Sequence, residues 1–306
     1  MSAAQARRRR EAIDGVLLLD KPAGITSQSA VARVKALFNA AKAGHTGTLD
    51  PMATGLLPIA LGEATKFSSA LLDAPKAYLA TVRLGTTTTT GDLEGAVTGT
   101  SEVEADRARI EAVLTRFRGD IVQTPPMYSA LKHQGRPLYA YAREGTDIER
   151  TPRAVTISAL EIEGWEAPDL RIAVKCSKGT YIRVLAEDIG GALGCGGCLA
   201  ALRRTEVGRF GLGEAVSWDA LASMTAVERQ ARLLGVDAMI AELPALRLDA
   251  HNASRVALGQ AVGCPAPADG LVRLYAPDGA FLGIGEAVSA GSLQPRRLVA
   301  TKAPNG

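Results

Sequence analysis

A loop rich in glycine and threonine carries the first residue whose type and setting could support chemistry, an aspartate followed by a proline. The loop, residues 44–58, reads GHTGTLDPMATGLLP. Its glycines allow sharp turns or a close approach to a ligand, and Pro51 biases Asp50 towards an extended or turn backbone. An Asp-Pro pair in such a loop is typical of an ordinary turn. A carboxylate held on this backbone can also act as a nucleophile or stabilise charge beside a substrate.

Several other polar segments accompany this loop along the chain. They combine basic, acidic and aromatic residues with turn formers, and each is a weak signal when it stands alone. In chain order they are residues 20–27 (DKPAGITS), 76–78 (KAY), 85–95 (GTTTTTGDLEG), 123–132 (QTPPMYSALK), 178–183 (KGTYIR) and 202–205 (LRRT).

In this order, and together with the Asp50 loop, the segments resemble the motifs of TruB-type pseudouridine synthases. The resemblance covers about residues 15–211, and the residues from 245 onwards resemble a PUA-like RNA-binding domain more loosely. It implies an enzyme that isomerises a uridine in the T arm of tRNA, at position 55, to pseudouridine. tRNA is then the partner, and neither a cofactor nor an obligate protein partner is implied. The threonine tract departs from the common pattern, so no role is assigned to its threonines.

The resemblance also implies a set of site residues, none of them a metal ligand. Three are implied to be catalytic, namely Asp50, Tyr78 and Arg183. Five are implied to contact the substrate, namely His45, Tyr181, Leu202, Lys21 and Asp92. Four basic residues are implied to bind RNA, namely Lys132, Arg136, Arg143 and Arg153. Each residue has an ordinary alternative when considered alone, which is core packing for the tyrosines and Leu202 and a solvated surface for the charged residues and the histidine.

The chemistry of pseudouridine formation suits these residue types. The reaction breaks the glycosidic bond of a uridine, turns the base and rejoins it through carbon, without redox change or net hydrolysis. It needs a carboxylate beside the ribose and the uracil, and the sequence leaves open whether Asp50 attacks C1′ or C6. Extruding the base costs a few kcal/mol, and stacking on an aromatic ring such as Tyr78 offsets about 1–3 kcal/mol of it.

A guanidinium is the natural partner for such a carboxylate, because a nearby positive charge favours its ionised form. We expect Arg183 to lie between two acids, Asp50 and Asp92, with Asp92 orienting the arginine. The plain alternative is that Asp92 only shapes the turn after the threonine tract.

The elements that must position these residues follow from hydrophobic periodicity. Strands are predicted at 15–20, 77–84, 155–162 and 170–176, and a hairpin at 271–284. Helices are predicted at 30–38, capped by Ser27 or Ser29, and at 105–117 and 182–193. Residues 199–204 are interpreted as an apolar turn. The pair Cys195 and Cys198 lacks further ligands at zinc spacing, so it is interpreted as small apolar residues in a glycine-rich turn.

These elements predict an α+β fold with three regions. Residues 1–14 form a basic disordered arm, and residues 15–244 form a catalytic domain with an RNA-gripping insertion at about 124–153. The domain has a central mixed, mainly antiparallel β-sheet flanked by helices and loops. Residues 245–306 form a small β-rich PUA-like domain.

Composition limits the class of protein without identifying it. Of the 306 residues, 47% are hydrophobic and 22% are charged, and the net charge of +3 permits an anionic partner without requiring one. No apolar run approaches the length of a membrane span, and the arginines near the N-terminus are followed by acids rather than by the apolar segment of a signal peptide. The sequence therefore predicts a cytoplasmic protein.

Two other functions remain open on the sequence. A noncatalytic RNA-binding or tRNA-folding protein could use the same surface. A glycosidase would need a second carboxylate across the scissile bond, and the sequence singles out no residue for that part.

Overall fold

The computed structural model of the chain describes residues 10–263, 269–288 and 291–300. The strands are β1 (Gly15–Lys21), β2 (Ala43–His45), β3 (Thr54–Leu61), β4 (Lys76–Leu84), β5 (Thr86–Thr88), β6 (Val97–Thr100), β7 (Gly119–Gln123), β8 (Lys132–His133), β9 (Arg136–Pro137), β10 (Arg153–Glu166), β11 (Asp169–Cys176), β12 (Gly197–Val207), β13 (Phe210–Gly211), β14 (Val216–Ser217), β15 (Ala245–Arg247), β16 (Val262–Gly263), β17 (Gly270–Tyr275), β18 (Phe281–Val288) and β19 (Ser292–Leu298). The helices are α1 (Ser27–Leu37), α2 (Ser69–Asp73), α3 (Arg107–Thr115), α4 (Leu138–Arg143), α5 (Ile182–Leu193), α6 (Trp218–Ser223), α7 (Ala226–Ala231) and α8 (Ala250–Ala257).

The largest sheet organises the molecule. Within the described residues it has ten strands, with the main order β14-β1-β3-β12-β4-β11-β10-β7, while β2 pairs with β3 and β13 with β12. Only the pairs β1–β14 and β3–β12 are parallel. The sheet is therefore mixed and mainly antiparallel, and together with a separate β-rich C-terminal sheet it confirms the predicted α+β fold class.

Strand β1 shows why an unbroken apolar run forms a strand here. Leu17 and Leu19 face one hydrophobic cluster, and Val16 and Leu18 face a second cluster on the other side of the sheet. Successive side chains of a strand point to opposite faces, so a strand buried on both faces needs apolar residues at every position.

The C-terminal module is docked on the core rather than tethered to it. Its sheet has the order β15-β17-β18-β19-β16. The Phe281 ring packs edge-on against Phe67 with centroids 5.5 Å apart. Lys66 donates a hydrogen bond to the Leu298 carbonyl at 2.8 Å, and Arg297 donates to the Lys66 carbonyl at 2.6 Å. Among the residues that the structure describes, no helix combines the length and apolar character needed to cross a membrane.

Two predicted elements need correction. Helix α1 begins at Ser27, because the Thr26 hydroxyl caps it by accepting from the Ser29 amide at 3.0 Å. The stretch interpreted as a turn at 199–204 lies inside the long strand β12.

The predicted basic arm lies mostly outside the described residues, which begin at residue 10. Its last part contacts the core instead of extending freely. The Glu11 amide donates to the Asn39 carbonyl at 2.9 Å, and the Asp14 carboxylate accepts from the Glu63 amide at 2.9 Å. Residues 11–14 therefore belong to the packed part of the molecule.

Candidate active site

The loop that carries Asp50 connects β2 to β3 and is held at several points. The Leu49 amide donates to the Ser27 hydroxyl at 2.8 Å, and that hydroxyl donates back to the Leu49 carbonyl at 3.0 Å. Leu49 itself is only 3% exposed, so its side chain anchors the loop in the core. On the other side of Asp50, the Pro51 carbonyl accepts from the Gly24 amide at 2.9 Å, so the carboxylate projects from a backbone that is fixed on both sides.

Lys21 lies buried beneath this loop. Its side chain is fully buried, and its amine donates to the carbonyls of Pro22, Ile25 and Pro51 at 2.8, 2.8 and 3.3 Å. Burial lowers the pKa of Lys21 to about 8, against the opposing effect of Asp50. The substrate contact implied for Lys21 stays a prediction, while in the structure its amine holds the Asp50 loop.

Arg204 is a second buried support, and sequence reasoning missed it. The guanidinium is 1% exposed and donates to the carbonyls of Leu56, Gly47 and Thr48 at 2.8, 3.2 and 3.4 Å. Gly55 lets β12 lie this close to β3, because an added Cβ at Gly55, whose φ is +101°, would lie 2.3 Å from the Arg204 carbonyl oxygen. No signal in the sequence pointed to it, because Leu202 and Arg204 share a face only in a strand, and residues 199–204 are interpreted as a turn.

Arg183, the second residue of α5, lies between two carboxylates. Its Nε is 3.0 Å from Asp50 Oδ2 and 3.6 Å from Asp92 Oδ2. The other two guanidinium nitrogens donate to the carbonyls of Thr90 at 2.9 Å and Tyr128 at 2.7 Å. The Arg183 side chain is 6% exposed and that of Asp50 is 36% exposed. The buried Arg183 guanidinium therefore pairs with an Asp50 carboxylate that is partly open to solvent.

Asp92 combines the two roles that the sequence left as alternatives. Its Oδ1 accepts from the Thr90 hydroxyl at 2.5 Å and from the Glu94 amide at 3.1 Å, which shapes the turn. Its Oδ2 is the oxygen directed at Arg183. At 3.6 Å this second contact is an ion pair rather than a hydrogen bond.

Two cavities meet at Asp50 and Arg183. The inner cavity is about 330 Å³ and has Tyr78, Tyr181 and Leu202 in its walls. The outer cavity is about 580 Å³ and includes His45, Asp92 and Arg143 in its lining, among other residues. Both volumes lie in the range of about 300–1,000 Å³ that is usual for small-ligand sites. Most of the predicted catalytic and substrate residues are thus brought to one place.

Tyr78 and Tyr181 form aromatic walls of the inner cavity. Tyr78 lies on β4 opposite Arg204 of β12. Burial raises the pKa of Tyr78 above its usual value, and the Arg204 charge opposes part of that rise. Tyr181 precedes α5, and the Gln123 side chain holds it by accepting from its amide at 3.0 Å and donating to its carbonyl at 3.3 Å. Burial also raises the pKa of Tyr181, so both phenols stay protonated near neutral pH.

His45 ends β2 in the wall of the outer cavity. Its Nδ1 accepts from the Gly47 amide at 3.3 Å. Burial lowers the pKa of His45 and the Arg204 charge lowers it further, which favours a neutral ring. In the described ranges, no group of three or more His, Cys, Asp or Glu side chains is arranged to hold a metal ion.

The insertion at 124–153 places basic residues beside tyrosine rings. Arg143 lies over the Tyr139 ring at 5.4 Å, and both residues line the outer cavity. Arg136 pairs with the Glu144 carboxylate and lies over the Tyr141 ring at 4.7 Å. Lys132, in the β8–β9 hairpin, and Arg153, at the start of β10, are exposed.

The buried position of Arg204 leads to a stability prediction. We expect Arg204→Met to lower the free energy of unfolding by about 2–4 kcal/mol, because buried carbonyls without a donor each cost about 1–3 kcal/mol. The neighbouring Arg203 is the matched control. It pairs with Asp20 at 2.6 Å but is 41% exposed, so Arg203→Met should cost about 1 kcal/mol or less. Urea unfolding followed by circular dichroism measures both, and equal losses would contradict the prediction.

Family models match the chain over most of its length. Residues 35–182 match the model of the TruB family pseudouridylate synthase N-terminal domain. Residues 183–247 match that of the tRNA pseudouridylate synthase B C-terminal domain, and residues 244–299 match that of the pseudouridine synthase II TruB C-terminal region.

Similar proteins cover nearly the whole chain. tRNA pseudouridine synthase B of Aromatoleum aromaticum is 54% identical over 299 residues, which are 98% of this chain and 97% of the relative. The enzyme of the same name from Methylobacillus flagellatus is 55% identical over 296 residues, 96% of this chain and 98% of the relative. A chain in the crystal structure of a Cbf5-Nop10-Gar1 complex superposes with a TM-score of 0.72 at 27% identity, over 94% of this chain and 85% of that one. The chain therefore belongs to the TruB family of tRNA pseudouridine synthases.

Proposed function

We propose that this protein isomerises uridine at position 55, in the T arm of tRNA, to pseudouridine, with Asp50 as the essential carboxylate. The observation that carries the proposal is the Asp50–Arg183 ion pair of 3.0 Å at the junction of the two cavities. The relatives are named as enzymes that act on tRNA. The choice of the T arm rests on the motif resemblance.

The residues that line the inner cavity have separate roles in the reaction. The bond from C1′ to N1 breaks, a bond from C1′ to C5 forms, N1 gains a proton and C5 loses one. Asp50 supplies the anion for either proposed attack, at C1′ or at C6, and Arg183 stabilises its charge. Tyr78 and Tyr181 offer rings on which the extruded base stacks. Because the pKa of Tyr78 is raised, its phenol relays a proton rather than serving as a standing base.

The remaining surface would hold the rest of the tRNA. We assign backbone gripping to the insertion at 124–153, with Lys132, Arg136, Arg143 and Arg153 as its basic contacts, since arginine and aromatic side chains bind phosphates and unstacked bases. Residues 245–306 are assigned to a PUA-like RNA-binding module. His45, on the rim of the outer cavity, would meet the RNA where the target base has left the stack.

We expect the purified protein alone to convert unmodified tRNA to pseudouridine, without added cofactor and in the presence of a strong chelator. The reason is chemical, since the isomerisation needs no redox partner and no activated water. Mass spectrometry after carbodiimide labelling measures the product and its position. A uridine-to-cytidine change at position 55 is the substrate control and should leave no product elsewhere in the tRNA. Binding without product would instead favour the noncatalytic tRNA-folding alternative.

A further inference from the structure

Ser129 occupies an unusual place for a polar residue. It lies in the insertion and lines both cavities, as Ala130 and Asp50 also do. It is only 5% exposed. Its backbone is fully engaged, since its amide donates to the Met127 carbonyl at 2.9 Å and its carbonyl accepts from the Tyr139 amide at 3.1 Å. The backbone that carries the side chain is therefore fixed by the fold.

The Ser129 hydroxyl has no hydrogen-bond partner. Among the described residues, it is the one buried side-chain nitrogen or oxygen atom without a hydrogen-bond partner. The Tyr181 phenol is its polar neighbour. Burial raises the pKa of Tyr181, and the Ser129 hydroxyl opposes part of this rise. Their geometry nevertheless falls short of a hydrogen bond. A buried hydroxyl without a partner costs free energy, so its retention in a cavity wall calls for an explanation.

Ser27 provides the contrast. This second buried serine, 1% exposed, also lines the outer cavity. Its hydroxyl both donates to and accepts from the Leu49 backbone, at 3.0 and 2.8 Å. Ser27 thus has a structural task that accounts for it, while Ser129 has none within the described part of the chain.

We propose that Ser129 is a substrate-positioning residue whose hydroxyl donates a hydrogen bond to a carbonyl oxygen of the extruded uracil. This inference rests on the proposed function. The inner cavity has aromatic and apolar walls, including Tyr78 and Leu202, that suit a planar base. Ser129 offers a donor on such a wall, and a base buried there must exchange its water contacts for protein donors.

The symmetry of uracil supports a single donor at this position. Exchanging N1 for C5 at the ribose is equivalent to turning the ring about the axis through N3 and C6. That turn also exchanges O2 and O4. A hydroxyl that faces one carbonyl in the substrate therefore faces the other in the product and keeps its hydrogen bond in both orientations. Such uniform binding lowers KM without raising kcat.

The test compares Ser129→Ala and Ser27→Ala in stability and in steady-state kinetics on unmodified tRNA. We expect Ser129→Ala to keep or raise Tm, to raise KM about tenfold and to leave kcat within about threefold of wild type. Ser27→Ala should lower Tm, because it removes both bonds to Leu49. A Tm loss in Ser129→Ala comparable to that of Ser27→Ala would show a structural role and overturn the inference.

A modified substrate identifies the atoms involved. In tRNA with 2-thiouridine or 4-thiouridine at the target, sulfur is a weak acceptor, so the penalty of Ser129→Ala should shrink in at least one of the two. An undiminished penalty with both, or wild-type KM in Ser129→Ala, would overturn the inference while wild-type activity upholds the proposed function. A wild-type protein that forms no pseudouridine would instead overturn the proposed function, and this inference with it.

Discussion

Replacing Asp50 by asparagine is expected to abolish isomerisation while leaving tRNA binding within a few-fold of wild type. We expect the single-turnover rate to fall by at least about 10⁴-fold, as it does when an enzyme loses a nucleophile. Asparagine keeps the size of the side chain but has neither the charge that Arg183 neutralises at 3.0 Å nor an anionic oxygen. Binding should persist because it is distributed over many phosphate and stacking contacts.

The measurement separates the two quantities. Tritium release from tRNA labelled at C5 of uridine reports the chemistry, since C5 loses its hydrogen, and filter binding at fixed salt reports affinity. Asp106→Asn is the matched control. Asp106 is an exposed helix cap that accepts from the Arg109 amide at 2.8 Å, and asparagine caps helices equally well. Turnover of Asp50→Asn within a few-fold of wild type would remove Asp50 from its assigned role.

The sequence predicted best those elements whose own residues determine them. The bounds predicted for α5 agree with Ile182–Leu193, because its buried positions repeat at helical spacing and Gly194 ends the helix with a φ of +85°. Strands β4 and β11 were likewise visible from alternation. The central sheet and the separate C-terminal sheet followed from these elements together with the resemblance.

Strand β12 was missed because tertiary contacts, not local preference, make it extended. Its segment GCLAALRRTEV contains few β-branched residues. It is extended because it pairs with β4 on one side and with β3 on the other. Pairing between residues this distant in sequence is not encoded in the periodicity of either strand.

The sequence indicated the residues that line the cavities of the candidate site, but not the buried residues that hold the Asp50 loop in place. Motif resemblance suggested Asp50, Arg183 and Asp92, which lie together in the structure, although their roles remain proposals. It gave no indication that the Lys21 amine donates hydrogen bonds to three backbone carbonyls. Nor did it indicate that Arg204 is buried beneath the loop. Such roles depend on which carbonyls the fold leaves without donors, and that is known only once the backbone path is known.

The arrangement of Asp92, Arg183 and Asp50 predicts coupled mutational effects. Arg183→Lys should lower the single-turnover rate by about 10²–10³-fold, since an ammonium cannot contact Asp50 while also holding the carbonyls of Thr90 and Tyr128. Asp92→Asn should cost about tenfold, because the amide oxygen can still accept from Thr90 and Glu94 while the charge directed at Arg183 is lost.

Thr90→Val is the matched control for the turn. It removes the hydroxyl that Asp92 Oδ1 accepts from and leaves the Oδ2 charge and the Thr90 carbonyl in place. If Asp92 acted only by shaping the turn, Thr90→Val would reproduce the loss seen in Asp92→Asn. Thr90→Val also removes the 3.3 Å bond from this hydroxyl to the Asp92 carbonyl. We expect the variant to stay within about threefold of wild type, as is usual where the bonds of one partly exposed hydroxyl are removed.

The double variant Asp92→Asn with Arg183→Lys decides whether the two residues work as a pair. Once lysine has replaced the arginine, Asp92 has no guanidinium left to orient, so its removal should add little. The two effects should therefore combine to less than their sum, with a coupling energy of about 0.5–3 kcal/mol. Single-turnover rates for the wild type, both single variants and the double variant complete the cycle. Additive effects would mean that Asp92 acts on the reaction by a route other than Arg183, and the 3.6 Å contact between them would then carry no catalytic weight.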